Sequence, residues 1–234
     1  VSYNIQTAVD TEHKLIVAHD VTNAAVDRNQ LFPIAGLAQH TLQREEIKAL
    51  ADRGYYKGEA IKDCYDADIK VLVPKTLTSG NRAAGRFDRE DFEYDVDADR
   101  YRCSAGETLQ RRFSTVERGM TMQVYFSSVS VCRNCKLKSK CTRGRQRRIK
   151  RWEHEGLLDV MEQELGNTAD AMPMRSRMVE HPFGTLKAWM GSTHFLMRRL
   201  KNVRTEMSLH VLAYNLRRMI SIMGVVPLIE AIRA

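Results

Sequence analysis

Residues 46–74 place the tightest limits on the fold, because two short apolar runs flank one helical segment with very little connecting chain. "IKALA" (47–51) predicts a buried strand, "KGEAIKDCYD" (57–66) a helix and "IKVLVP" (69–74) a second strand. Connections this short favour an α/β unit in which the two strands pair in parallel. Functional groups gather beyond the carboxyl ends of such strands, and Asp52 lies at one of these ends.

The rest of the chain divides around this unit. "YNIQTAVD" and "KLIVAHDV" predict a hairpin with Asp10 as a turn residue, and residues 27–39 predict a helix with Asp27 as its N-cap. Residues 75–150 are polar and predict an insertion of short strands, "DFEYDV", "RYRCS" and "MQVYFSS". Helical patterns return in 151–234, where "PFGTLKAWM" places Pro182 in a first turn. We therefore predict an α/β core formed by 1–74 and 151–234, with 75–150 inserted.

Charge is concentrated in one segment. The formal net charge is +8, and residues 133–151 contain ten Lys or Arg and no acidic residue. A solvated loop would also fit, but a basic block with interleaved cysteines favours a polyanionic partner, of which nucleic acid is the common one. No apolar run approaches the roughly 20 residues that span a bilayer. No membrane partner is therefore expected.

The cysteines predict a metal site. There is no secretory signal segment, so a disulfide scaffold is disfavoured and a reducing, cytoplasmic location is expected. The spacing Cys132-x2-Cys135 suits one tetrahedral metal, and Cys103 and Cys141 complete a Cys₄ set for structural Zn²⁺. Unliganded thiols and redox use remain the alternatives. Cys64, in an apolar helix, is expected to be a buried core thiol.

Two carboxylates far apart in the chain, Asp52 and Glu180, are candidates for a second kind of metal site. Glu180 lies in "RMVEHPFGTLKAW" (177–189), at or near a predicted helix start, and a solvated surface charge is the simpler interpretation. Carboxylates that converge on a cleft repel one another unless a divalent cation neutralises them. Such a site can hold two Mg²⁺ ions and act on a phosphodiester. Spacing alone does not establish that the two residues converge.

Several blocks of the sequence resemble bacterial DDE-type insertion-sequence transposases. They are "YNIQTAVDTEHKLIVAHDVTN", "ALADRGYYKGEAI" and "VEHPFGTLKAWMG" followed by "FLMRRLKNVRTEMSLHVLAYNLRRM", in the family's order over nearly the whole chain. The resemblance implies an RNase H-like core with a β-rich insertion. It also implies an Asp–Asp–Glu triad that binds Mg²⁺ or Mn²⁺ to cut and join DNA.

The resemblance assigns roles to individual residues. Asp52 matches the second catalytic Asp, Glu180 the catalytic Glu, and Lys187 a lysine that would hold a DNA phosphate two helical turns further along the same face. The family's arginine falls at Ser176 here, so the flanking Arg175 and Arg177 are its candidates. The first Asp belongs upstream of the "YNIQTAVD" hairpin, which implies a fragment that is truncated at its N-terminus.

We therefore expect a transposase fragment that binds element ends and target DNA, and that forms a homodimer in its DNA complex. The alternatives are a non-catalytic, zinc-stabilised DNA-binding relic and a nuclease of RNase H-like fold. The residues expected to contact DNA are Lys187, Arg175, Arg177, Arg143, Arg145, Arg147, Arg148, Lys150 and Arg151.

Overall fold

The computed structural model describes residues 2–76 and 79–233, which form two compact units. The first unit comprises Val1–Thr76 and Leu158–Ala234, and the second comprises Leu77–Leu157. Helices and strands are mixed along the chain, so the predicted α/β class is confirmed.

The strands and helices are numbered here in chain order. The strands are β1 (Asn4–Val9), β2 (Ile16–Thr22), β3 (Ile47–Leu50), β4 (Ile69–Leu72), β5 (Glu93–Asp95), β6 (Arg100–Arg102), β7 (Thr108–Glu117), β8 (Met120–Phe126) and β9 (Arg148–Trp152). The helices are α1 (Leu31–Leu42), α2 (Gly58–Asp66), α3 (Gly80–Ala83), α4 (Val129–Arg133), α5 (Lys138–Cys141), α6 (Glu155–Asn167), α7 (Ala171–Gly184), α8 (Leu200–Met223) and α9 (Val225–Arg233).

Two strand pairs form the first unit's sheets, and both were predicted. β1 and β2 pair as an antiparallel hairpin, and β3 and β4 pair in parallel from Ile47 opposite Ile69 to Leu50 opposite Leu72. The helix between the parallel strands, α2, buries Cys64, as expected. These elements could be predicted from the sequence because each apolar run is short and ends at a polar or turn-forming residue.

The β1–β2 hairpin is packed between two helices. One apolar cluster joins Ile16 and Val21 to the buried face of α8, and another joins Ala18 to Ile34 of α1. The register shifts where Val17 forms an extra residue between paired positions. Such a bulge changes which face successive side chains take, so β2 can supply both clusters.

The second unit is built on a five-stranded antiparallel sheet in the order β5-β6-β7-β8-β9. Strands β5, β6 and β8 match the predicted runs, whereas β7 and β9 were not predicted. β7 reads "TLQRRFSTVE" and is mostly exposed, and β9 lies within the basic segment, so neither shows an apolar pattern. One buried cluster of this unit comprises Phe92, Tyr101, Leu109, Tyr125 and Ile149.

Two predicted helix starts are wrong. Asp27 is not the N-cap of α1; it begins a short 3₁₀ turn, and Gln30 precedes the helix. Pro182 is not in a first turn, because α7 begins at Ala171 and contains Pro182 close to its C-terminal end. In both cases, a residue type that is common at helix starts (Asp or Pro) was taken as the start of a helix that begins at another residue.

Within residues 2–76 and 79–233, no single helix is long and apolar enough to cross a membrane. The pair α8 and α9, bent by 113° at Gly224, meets the length and composition criteria only when the two helices are taken together.

Candidate active site

Asp52 lies just beyond the carboxyl end of β3. The pairing with β4 continues to Ala51, whose N–H donates to the carbonyl of Leu72 at 3.1 Å. The chain then turns, and Asp52 Oδ1 accepts a hydrogen bond from the Gly54 N–H at 2.8 Å, which caps a 3₁₀ turn over Arg53–Tyr55. The position predicted for Asp52, at the end of a parallel strand, is the one that it takes.

A second carboxylate, Asp27, borders the same space. A Cβ atom added to Gly54 would lie 2.9 Å from Asp52 Oδ1 and 3.5 Å from Asp27 Oδ2. Glycine therefore leaves room for both carboxylates over this turn. Sequence reasoning missed Asp27, because an Asp before a helical pattern was interpreted as an N-cap.

Asp27 is held by a partly buried polar network that starts on β1 and includes the buried Gln6. Asn4 Nδ2 and Gln6 Nε2 donate to Asp27 Oδ1 at 2.7 and 2.8 Å, and the Tyr55 hydroxyl donates to Gln6 Oε1. Burial, with the nearby charges of Asp27 and Asp52, raises the pKa of Tyr55 to about 12, so the phenol stays protonated and can donate. Two amide side chains two residues apart on β1 were the available sequence signal.

Arg175 connects α7 to this site. Its Nη2 atom donates to Asp52 Oδ2 at 2.9 Å, across 123 positions of the chain. The guanidinium is the more buried partner, with 25% of the side chain exposed against 43% for Asp52. The two sequence blocks that carry the Asp52 and Glu180 motifs are therefore close in space, but the contact is made by the arginine.

Glu180 itself is exposed on α7. It is the tenth residue of the helix, so the expected position near a helix start is wrong. Its Oε1 atom accepts a hydrogen bond from Ser176 Oγ at 2.5 Å. Successive helical residues are about 100° apart around the axis, so Glu180 faces a different direction from its neighbour Val179. In the part of the chain that the structure describes, no hydrogen bond or ion pair joins Glu180 to Asp52.

Lys187 lies beyond the end of α7, in a π-helical turn over Thr185–Trp189, and it is exposed. The predicted geometry, two α-helical turns after Glu180 on one face, does not hold, because a π-helical turn contains more residues than an α-helical one. Pro182 lies three residues before this change of helix type. Proline disfavours a continuous α-helix, because it has no N–H to donate and its ring crowds the preceding turn.

The other candidate acids and bases have structural partners. Asp10 accepts from the N–H groups of Glu12 and His13 in the hairpin turn, as predicted. Glu206 on α8 is buried, accepts from the backbone N–H groups of Leu196 and Met197, and lies 3.7 Å from His210.

Arg177 forms a local ion pair on α7. Its Nη2 atom contacts both carboxylate oxygens of Asp170 at 3.0 Å, and the side chain remains mostly exposed. A rim ion pair of this kind is weak enough for a phosphate to replace. Arg177 therefore differs from Arg175, whose partner is the candidate catalytic Asp52.

The basic segment of the second unit is only partly available to a partner. Arg151 is 8% exposed, and its guanidinium lies 3.9 Å from the centre of the Tyr94 ring. Arg147 is half-buried over Phe92. We therefore remove Arg151 from the predicted DNA-contacting set. The exposed members are Arg143, Arg145, Arg148 and Lys150.

A large groove lies next to Asp52 in the first unit. It has a volume of about 490 Å³ and is lined by residues in and just after β1 and β3, namely Ile5, Thr7 to Asp10, and Ile47 to Ala51. Helix α1 lines it as well, and so do Arg175 and the apolar residues Met178, Val179 and Phe183 of α7. Within residues 2–76 and 79–233, neither of these strand edges pairs with a further strand.

The described side chains form no complete metal-binding cluster. Across the part of the chain that the structure describes, no three His, Cys, Asp or Glu side chains are arranged to hold a metal ion. Cys103, Cys132, Cys135 and Cys141 nevertheless line one small cavity in the second unit.

Comparison with known proteins gives one family. The family model described as "Transposase DDE domain" matches residues 102–220, about half of the chain. No curated protein and no solved structure gives a significant match. The matched region contains Arg175, Glu180 and Lys187, so the resemblance seen in their motif is confirmed at the level of the family. This chain therefore belongs to the transposase DDE domain family.

Proposed function

We propose that this chain is part of a transposase catalytic domain that cuts and joins DNA strands, with Asp52 as a metal ligand. The observation that carries the proposal is the position of Asp52. It follows a parallel strand, its carboxylate is oriented by the Gly54 N–H, and Asp27 borders the same space. Two neighbouring carboxylates at a sheet edge favour a divalent cation, and the family match supports DNA as the substrate.

The residues of the site fit Mg²⁺ or Mn²⁺. Carboxylate oxygens are the ligands that these hard cations take, and Asp52 is exposed enough to be reached. When bound, such ions activate the attacking oxygen and stabilise the leaving oxygen of a phosphodiester. In the structure, the guanidinium of Arg175 occupies one side of the Asp52 carboxylate. We propose that Arg175 leaves this oxygen when a cation binds and then contacts a DNA phosphate.

The groove supports an RNase H-like core. We propose that a further extended segment of the transposase lies between β1 and β3 and joins the two strand pairs into one sheet. A strand in a packed sheet takes roughly 160 Å³ per residue, from about 3.3 Å of rise, 4.8 Å of spacing and 10 Å of depth. The groove, about 490 Å³ in volume, therefore holds about three strand residues. A strand parallel to β3 would end beside Asp52 and could supply the first acid there.

The same segment accounts for the orientation of Glu180. Met178, Val179 and Phe183 line the groove, which holds only about three strand residues, so a longer strand must displace this face of α7. We propose that α7 then moves and rotates, which brings Glu180 toward Asp52 as the third acid. The change from α-helix to π-helix at Thr185 lies at the end of α7, where such a movement can be absorbed.

DNA binding by the second unit is proposed from its exposed cations. The variant Arg143→Gln/Arg145→Gln/Arg148→Gln should bind DNA more weakly regardless of sequence. The slope of the logarithm of the DNA-association constant against the logarithm of the salt concentration should become shallower by up to about 2.7, because each lost phosphate contact contributes about 0.9. The matched control removes three exposed cations of the first unit, in Arg44→Gln/Lys70→Gln/Lys201→Gln. Equal slopes in the wild type and in the variant that lacks Arg143, Arg145 and Arg148 would contradict this assignment.

The reaction is tested with labelled element-end DNA and Mn²⁺, on this chain and on the chain extended by its upstream coding sequence. We expect strand-transfer products from the extended chain, and none from Asp52→Asn or Glu180→Gln. The control Glu46→Gln alters a carboxylate at the opposite end of β3 from Asp52, where it pairs with Lys70, and it should retain activity.

Two other outcomes identify the alternatives. Cleavage without strand transfer would favour a nuclease. DNA binding without cleavage, in the extended chain as well, would favour a non-catalytic DNA-binding protein, the alternative that the Arg175–Asp52 ion pair supports. The homodimer in a DNA complex stays a prediction, and light scattering on the protein with and without DNA tests it.

A further inference from the structure

Four of the five cysteines meet at one place in the second unit, although they come from three separate elements. Cys103 follows β6, Cys132 belongs to α4, Cys135 follows α4 and Cys141 ends α5. All four line a single cavity of about 30 Å³, and all four are free, half-buried thiols. A space of this size holds one ion or one water molecule, and its other lining residues are the apolar Leu109 and Val131 together with polar and charged side chains.

The segment around this cavity has little else to stabilise it. Residues 128–148, all of which the structure describes, contain no buried side chain. They nevertheless form α4 and α5, which are five and four residues long. Helices this short are unstable by themselves, because the cost of nucleation is not recovered over so few residues. Small regions without a core are commonly held by a disulfide or a metal, and these thiols form no disulfide.

Charged side chains border the cavity. Arg147 and Lys138 line it together with Glu107, and the Arg147 Nη1 atom donates to the carbonyl of Cys141 at 3.3 Å. A Zn²⁺ ion with four thiolates carries a net charge of −2, which the two cations offset in part.

We propose that one Zn²⁺ ion binds Cys103, Cys132, Cys135 and Cys141 and holds α4 and α5 against the five-stranded sheet. Binding draws the four sulfur atoms inward to about 2.3 Å from the ion and releases the thiol protons. The Cys132-x2-Cys135 pair supplies two ligands from one short loop, and Cys103 and Cys141 already pack against the buried aromatic cluster of the sheet. The ion would fix the loop that carries Arg143 and Arg145. The site stands independently of the proposed reaction; its consequence for DNA rests on that proposal.

Zinc content is measured by mass spectrometry on the untagged chain purified under reducing conditions. We expect one zinc per chain in the wild type and less than a tenth of this in Cys135→Ser and in Cys141→Ser. The control Cys64→Ala removes the cysteine outside the cluster and should keep its zinc. Zinc at background level in the wild type, or equal zinc in every variant, would overturn the proposal.

A second measurement does not depend on how well the variants fold. The wild-type protein is treated with trypsin, with and without a zinc chelator. Ten Lys and Arg residues lie in 133–151, so loss of the ion should expose this stretch and speed its cleavage at least tenfold. Readdition of zinc should restore the protection, and Co²⁺ should give the thiolate charge-transfer band of a tetrahedral site. A cleavage rate that changes neither with the chelator nor with added zinc would also overturn the proposal. So would isolation of the protein with the four cysteines as disulfides.

Discussion

The ion pair between Arg175 and Asp52 makes a quantitative prediction about metal affinity. If Asp52 is a metal ligand, the guanidinium 2.9 Å from its Oδ2 atom competes with the cation. We therefore expect Arg175→Met to bind Mn²⁺ more tightly than the wild type does. A purely structural Asp52 would show no such gain, because the loss of its partner would create no metal site.

The magnitude follows from the separation and the exposure of the two groups. A unit charge and a doubly charged ion about 5 Å apart repel by roughly 2 kcal/mol at an effective dielectric constant of about 65. A high value is appropriate because 43% of the Asp52 side chain is exposed. About 2 kcal/mol corresponds to a roughly thirty-fold change in affinity, and physiological salt reduces it further. An increase of about tenfold or more is therefore expected.

The assay follows the amide signal of Gly54 by NMR during a Mn²⁺ titration. This N–H donates to Asp52 Oδ1, so a paramagnetic ion at the carboxylate broadens it even when binding is weak. Arg177→Met is the matched control, because it removes the same charge from the same helix but pairs with Asp170. We expect the control to stay within about twofold of the wild type. An affinity in Arg175→Met that is unchanged or weaker would show that Asp52 is not a metal ligand.

Three further predictions concern stability and reactivity. Glu206 is buried, which tends to raise its pKa, but its two backbone donors and His210 lower it overall. Glu206→Gln should therefore lower the free energy of unfolding by about 2 kcal/mol at pH 7. This loss should fade as the pH falls below about 4.3 and through the folded-state pKa, and urea unfolding at several pH values checks it. Gln6→Leu removes the bonds to Asp27 and Tyr55 and should cost about 2 kcal/mol or more in the same assay. Cys64 is buried with its pKa raised to about 12, so iodoacetamide should alkylate it only at denaturant concentrations that unfold the chain.

Much of the first unit was predictable because its signals are local. The parallel pair formed by β3 and β4, the β1–β2 hairpin and the turn role of Asp10 all follow from short apolar runs that end at turn residues. The position of Asp52 follows from the same pattern. In each case, the sequence signal lies within the element itself and in the turn that follows it.

The remaining features depend on contacts between distant segments. Asp27 joins the site through Asn4 and Gln6, more than 20 positions away, and no local pattern shows this. The partner of Asp52 is Arg175 and the partners of Glu206 are backbone amides, and neither choice can be deduced from charge alone. Strand β7 was not predicted because its residues are mostly polar and exposed. Backbone pairing with β6 and β8 stabilises this strand, and its side chains show no apolar pattern.

Calorimetric titration of Mn²⁺ tests most directly whether Asp52 and Glu180 bind the same metal. The titration uses the chain extended by its upstream coding sequence, in wild-type, Asp52→Asn and Glu180→Gln forms. We expect binding to the wild type and a loss of at least tenfold in affinity in each variant, because both carboxylates would ligate the same metal centre. Affinity that is unchanged in both variants would contradict this expectation, and would leave Glu180 a surface charge and Asp52 the capping residue of a turn.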